Sequence, residues 1–191
     1  MPASNDYVAR LGAVLLDPAE TVTMSAPGKV QAAVLVPLFE EGGRLHAVFT
    51  KRPADMRRHA GEISFPGGRR DEDEELRDTA LREAEEEIGL ARDQVQVVGA
   101  LPPAGTIVTS YAVYPFVGLI ASGNAFRPNP VEVDEVVELS LPDLVEGFER
   151  KRLIRRGVPI KTDTYTVGGH LIWGATARIL GTLLERVRLL L

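Results

Sequence analysis

Gly68-Arg69-Arg70-Asp71-Glu72-Asp73-Glu74-Glu75-Leu76-Arg77-Asp78-Thr79-Ala80-Leu81-Arg82-Glu83-Ala84-Glu85-Glu86-Glu87-Ile88-Gly89-Leu90 places Gly68, Glu74, Arg82, Glu83, Glu86, Glu87 and Gly89 at the spacing G-x5-E-x7-R-E-x-x-E-E-x-G. A helix advances about 100° per residue, so Glu87 lies near +40° and Glu86 near −60° of Glu83, all on roughly one arc. Leu81, Ala84 and Ile88 fall on another side as an apolar stripe for packing on a core, and Glu85 belongs to solvent. Like charges three and four residues apart weaken a helix. Their clustering makes sense if a hard, oxygen-seeking cation sits between them, Mg²⁺ or Mn²⁺ being the candidates.

A bare E-x-x-E-E is more often a solvated acidic face, with Arg77 or Arg82 neutralising part of it. The glycines and Glu74 have no role in a merely soluble helix, and they turn the reading toward a metal site. Upstream, Phe65-Pro66-Gly67-Gly68 reads as a sharp loop that can approach a ligand closely. Gly89 suits a left-handed C-terminal cap. The stretch therefore reads as loop, helix, loop.

These seven positions resemble the Nudix box over residues 68–90, with Ala84 standing where a larger aliphatic residue is common. The resemblance implies an α/β/α sandwich, a mixed sheet flanked by helices. It also implies hydrolysis of a nucleoside diphosphate linked to another moiety, with Mg²⁺ or Mn²⁺. Glu83, Glu86 and Glu87 become the metal ligands. Arg82 orients them by ion pairing, and Glu74 binds metal through water or fastens the loop. Both Glu86 and Glu132 stand as candidates for the base that takes a proton from the attacking water.

The rest of the chain is compatible. At 191 residues and 45% hydrophobic content it suits one domain with a substantial core. It has no cysteine, which excludes disulfides, thiolate zinc sites and cysteine nucleophiles, and its three histidines, His46, His59 and His170, are scattered. Apolar runs at 32–39 and 112–121 fall far short of the ~20 residues of a membrane span. The start lacks the basic region of a secretory signal, so a cytoplasmic protein is expected. The net charge of −5 hides a polarity. Six basic residues, Lys51, Arg52, Arg57, Arg58, Arg69 and Arg70, precede ten acidic ones between Asp71 and Glu87. A second basic stretch, Arg150, Lys151, Arg152, Arg155, Arg156 and Lys161, contains no acid. A basic surface beside a carboxylate cluster suits a polyanionic small substrate. Nucleic acid is a poorer fit, since the basic stretches lack interleaved aromatics.

Periodicity predicts a first helix through Tyr7, Val8, Leu11, Val14 and Leu15, stopped by Pro18, and two Val-rich apolar runs, 29–39 and 45–50, separated by Glu40-Glu41-Gly42-Gly43-Arg44, read as a hairpin. Further strands are expected at 95–101, 111–120 and 132–139, a loop at 102–110 and a C-terminal helix at 171–190.

Residues 50–68 also resemble the signature upstream of the box in the coenzyme A pyrophosphatase branch, T-x-R-[SA]-x3-R-x3-G-x-[IV]-[SA]-F-P-G-G. Thr50, Arg52, Arg57, Gly61, Ile63, Ser64 and the run Phe65-Pro66-Gly67-Gly68 match, while Pro53 departs. Glu132-Val133 and residues 172–177 resemble other stretches of that branch. The resemblance implies cleavage of coenzyme A to adenosine 3′,5′-bisphosphate and 4′-phosphopantetheine. Arginine forks match phosphate oxygens, making Arg52, Arg57 and Arg58 candidates for the phosphates, supported by Lys51 and the Gly67-Gly68 backbone. Trp173, Tyr111 and Phe126 are candidates to stack on adenine. The alternatives are the same chemistry on ADP-ribose, a dinucleoside polyphosphate or a nucleoside triphosphate, and a Nudix-like binding module without catalysis.

Overall fold

The computed structural model describes residues 5–54, 61–106, 110–155 and 158–191. In chain order the elements begin with α1 (Asn5–Val14), α2 (Pro18–Thr21), β1 (Val30–Glu41), β2 (Arg44–Lys51), β3 (Ile63–Ser64), β4 (Gly67–Arg69) and α3 (Leu76–Ile88). They continue with β5 (Gln96–Ala100), β6 (Ala104–Gly105), β7 (Tyr111–Leu119), β8 (Glu135–Ser140), α4 (Leu141–Glu146), β9 (Phe148–Arg155), β10 (Val158–Val167), β11 (His170–Ile172) and α5 (Gly174–Val187).

The main sheet runs β3-β2-β1-β7-β5, with β4 on β1, β6 on β7 and β8 on β2. It is mixed. β1 and β7 pair in parallel from Val30↔Tyr111 to Leu38↔Leu119, and the other pairings are antiparallel. Side chains alternate across a strand, so β1 feeds two cores. Ala32, Val36 and Leu38 join Leu11 and Leu15 of the N-terminal segment and Ile179, Leu180, Leu183 and Val187 of α5 on one face. Ala33, Leu35 and Phe39 join Leu76, Ala80, Leu81, Ala84 and Ile88 of α3 on the other. The sheet is thus flanked by helices on both faces, the α/β/α arrangement expected, and the small Ala84 is fully buried against it.

Four local expectations are corrected. Pro18 does not merely stop the first helix; it opens α2 at a position whose missing N–H costs nothing, with the Asp17 side chain capping Ala19 N–H at 2.7 Å. The Phe65–Gly68 segment is no free loop, because Gly67 and Gly68 pair with Val34 and Ala33 as β4. Glu132 lies in the turn before β8, which starts at Glu135. Finally, β9, β10 and β11 form a separate antiparallel sheet, in the order β11-β10-β9, and the last helix begins at Gly174. Leu171 and Ile172 continue the helical spacing of α5, but their backbone pairs with Thr166 and Tyr165, burying Ile172.

Candidate active site

β4 and α3 meet at a pair of glycines. Gly67 holds φ +156° with its α-carbon against β1; a Cβ there would stand 2.3 Å from the Ala33 carbonyl oxygen. At Gly68 a Cβ would stand 2.4 Å from the Glu83 carboxylate carbon. The absent side chain therefore lets the Glu83 carboxylate lie directly on the β4 backbone. From the same strand Gly67 N–H donates to Glu87 Oε2 at 3.1 Å. At its far end α3 stops on Gly89 in the left-handed region, φ +68°, with Gly89 and Leu90 N–H bonded to the Glu85 and Ala84 carbonyls.

Arg82 sits at the hub. It donates through Nε to Glu74 Oε1 at 3.0 Å and through Nη2 to Glu74 Oε2 at 3.1 Å. Its Nη1 donates to Glu83 Oε1 at 2.9 Å and Glu86 Oε2 at 3.1 Å, and Nη2 reaches the Arg69 carbonyl at 3.3 Å. Glu74 also accepts from Thr79 Oγ1 at 2.7 Å. These contacts hold the Glu74 carboxyl below its ordinary range, the Arg82 hydrogen bond contributing most, and raise the guanidinium pKa. Of the two options read for Glu74, it has the partners of a fastener: it ties the turn after β4 to α3.

Glu132 arrives from elsewhere in the chain. The carbonyls left without a helical donor at the end of α3 accept from the segment that follows β7: Ile88 from Arg127 N–H and Glu87 from Asn129 N–H, each at 2.8 Å. Asn129 then turns the chain, its carbonyl accepting from Glu132 and Val133 N–H. Asn129 carries no signal for this role in the sequence. A lone Asn before Pro130 signals a turn, but nothing in it points to the helix end it caps.

The electrostatics show which acids share a field. Burial pushes the Glu87 carboxyl up to about 7; Gly67 N–H and Arg52 oppose this, and Glu83 and Glu132 add to it. Burial also raises Glu83, against Arg82 and with Glu86 and Glu132. Glu83, Glu87 and Glu132 thus repel one another across α3 and the Asn129 turn, with Glu86 coupled to Glu83. Among the described residues no three Asp, Glu or His side chains yet converge closely enough to encircle a cation. The donor set nonetheless suits a hard dication: all oxygen, mutually repelling, with Glu87 only 5% exposed and its Oε1 accepting no hydrogen bond among the described residues.

The predicted basic residues divide. Arg52, just past β2, lies close enough to influence Glu87, and its Nε is buried with no hydrogen-bond partner among the described residues. Lys51 is paired with Glu135, Nζ–Oε2 2.9 Å, and Glu135 in turn faces His170 Nε2 at 3.8 Å. Arg57 and Arg58 lie outside the described residues. Arg150 pairs with Asp163 and Lys151 with Glu149, so part of the second basic stretch is neutralised within β9 and β10. The candidate aromatics are not brought together: Tyr111 packs on the α5 side of the sheet and Phe126 on the α3 side, while Trp173 caps α5. Among the described residues no helix is long and apolar enough to cross a membrane.

Residues 29–160 match the family model of the NUDIX domain. The chain belongs to the Nudix hydrolase superfamily. It is 37% identical over 184 residues to the uncharacterised Nudix hydrolase NudL of Pectobacterium atrosepticum, covering 93% of this chain and 91% of that one. To NudL of Photorhabdus laumondii it is 35% identical, covering 98% and 100%. The solved MutT/nudix family protein from Enterococcus faecalis shares the fold at TM-score 0.59 and 16% identity, covering 96% of this chain and 72% of that one. The NUDIX domain of Shewanella oneidensis NrtR, solved with ADP ribose, shares it at TM-score 0.51 and 19% identity, covering 75% and 87%. Nudix hydrolases generally use divalent metal ions, consistent with the oxygen-only donor set on α3 of this Nudix hydrolase.

Proposed function

We propose that this Nudix hydrolase cleaves the diphosphate of coenzyme A or its derivatives, with Mg²⁺ or Mn²⁺, giving adenosine 3′,5′-bisphosphate and 4′-phosphopantetheine. The observation that carries the reading is Arg52, whose buried Nε has no hydrogen-bond partner among the described residues and lies by Glu87, within residues 50–68. A buried guanidinium N–H without an acceptor is costly, and a substrate phosphate would satisfy it. The other signature residues support its placement. Thr50 Oγ1 donates to the Ser64 carbonyl at 3.2 Å, Ile63 pairs with Lys51, and Phe65 stacks on Phe49 with ring centroids 4.6 Å apart. They bind β3 to β2 and so fix the start of the segment that carries Arg52.

Glu83, Glu86 and Glu87 would hold the ion, which would supply positive charge to the diphosphate and acidify the attacking water. Arg82 keeps Glu83 and Glu86 in place and Glu74 keeps Arg82 in place. Glu86 and Glu132, both exposed, are the candidates to take the proton as the water oxygen attacks one phosphorus. The bond from that phosphorus to the bridging oxygen breaks, and the second phosphate leaves with the electron pair. Arg52, with Arg57 and Arg58, binds phosphate; the Gly67-Gly68 backbone lines the floor. Residues 1–191 act as one domain, a reading supported by α1 and α5 sharing one core.

The test is incubation with coenzyme A and Mg²⁺ or Mn²⁺, products resolved by mass. Release of 4′-phosphopantetheine is expected. Faster cleavage of ADP-ribose, the ligand solved with the NrtR domain, would move the enzyme to that substrate.

A further inference from the structure

β10 runs from Val158 to Val167, but β11 covers it only from Tyr165 to Val167. Beyond that, β9 and β10 continue as a two-stranded ribbon in which no described residue of 149–154 or 159–163 is buried. Such a ribbon is marginal in water when alone. Its composition makes it more so. Arg152 lies directly opposite Lys161, both exposed and neither with an acidic partner among the described residues. Like charges in that position repel. Beside them Ile154 is 79% exposed, opposite Pro159. A cation pair and a bare isoleucine on one arm call for an acidic counter-surface.

That counter-surface exists on the same chain. Residues 71–75 read Asp71-Glu72-Asp73-Glu74-Glu75 with no Lys or Arg. Glu74 is taken by Arg82, whereas Glu72, Asp73 and Glu75 are exposed and have no cationic partner among the described residues. Nor does the arm form an ion pair with the turn of its own chain among those residues. We propose that the β9–β10 ribbon docks on the acidic turn, residues 71–75, of a second copy of this chain. Edge-to-edge pairing of two β9 strands is the poorer alternative, since it lines Arg150, Lys151 and Arg152 against their own copies.

The test is sedimentation of the full chain at about 0.05 M and about 0.5 M salt, because ionic contacts are screened as the Debye length shrinks. At low salt the mass is expected to approach twice the 20.8 kDa of one chain, and at high salt to return to one chain. Arg152→Glu with Lys161→Glu on the arm, or Glu72→Lys with Glu75→Lys on the turn, weakens association at least tenfold. An equal mixture of the two double variants restores it, since reversed arm meets reversed turn. Arg152→Gln with Lys161→Gln serves as a milder pair and also weakens association. A wild type that sediments as one chain at low salt overturns the proposal, as does a dimer that neither charge reversal nor salt weakens. So does a single chain that binds vesicles of anionic lipid instead.

Discussion

Arg82 grips Glu74 with two parallel hydrogen bonds, Nε to Oε1 at 3.0 Å and Nη2 to Oε2 at 3.1 Å, with both side chains less than a fifth exposed. The remaining Nη1 reaches Glu83 and Glu86. One guanidinium thus fixes both the turn before α3 and two of the acids upon it.

Lysine cannot reproduce that fork. Arg82→Lys is expected to cost about 1–3 kcal/mol of stability and to lower kcat more than it raises KM. Chemical denaturation with Glu74→Gln in a double-mutant cycle checks the coupling. The folded pKa of Glu74 is depressed. The stability from this pair is therefore present above the unfolded carboxyl pKa and lost as pH falls through the folded one. Arg82→Lys should flatten the acid side of the stability curve.

Glu87 has the opposite sign. Its carboxyl rises from 4.5 to about 7 on folding, so the metal-free folded state keeps a proton that the unfolded chain has released. Stability falls as pH rises through that window, by up to about 3 kcal/mol. Glu87→Gln removes the slope and cuts turnover by orders of magnitude. Thermal melts across pH in chelator, alongside activity, read both; near-normal hydrolysis in this variant removes Glu87 from the metal site.

The two glycines separate fold from chemistry. Gly67→Ala meets backbone, the Ala33 oxygen at 2.3 Å and the Val34 Cα at 2.6 Å, at φ +156°, and is expected to destabilise by about 2–4 kcal/mol. In Gly68→Ala the three nearest atoms to the new methyl all belong to the carboxylate end of Glu83, so melting changes little while metal affinity falls about tenfold or more. Calorimetric titration of Mg²⁺ or Mn²⁺ into each variant distinguishes them.

Arg52→Lys is expected to leave stability nearly unchanged, because the buried Nε it removes has no partner to lose among the described residues. It should raise KM for coenzyme A by about 10- to 100-fold, the loss of one charge-assisted contact or more. An unchanged KM would detach Arg52 from phosphate recognition.

The spacing of residues 68–90 determined the helix, its buried stripe and its acidic arc, because those follow from the rotation per residue along one element. Continuous apolar runs along β1 and β7 likewise announced strands, buried on both faces, and Gly89 announced the helix stop. Distances across the chain were decided elsewhere. Glu132 comes within electrostatic reach of Glu83 and Glu87 where Arg127 and Asn129 satisfy the open carbonyls at the end of α3. Lys51 pairs with Glu135 because β8 pairs with β2 and sets Glu135 opposite it. The strands β9, β10 and β11 became a second sheet despite a helical pattern reaching back to Leu171, and extended pairing of Ile172 with Tyr165 buries both in the core that holds α5. Local periodicity is a property of consecutive residues and can be read from them. Which strand a segment pairs with, and which distant carboxylate a helix end draws in, depends on satisfying backbone groups and burying surface between parts of the chain far apart in sequence.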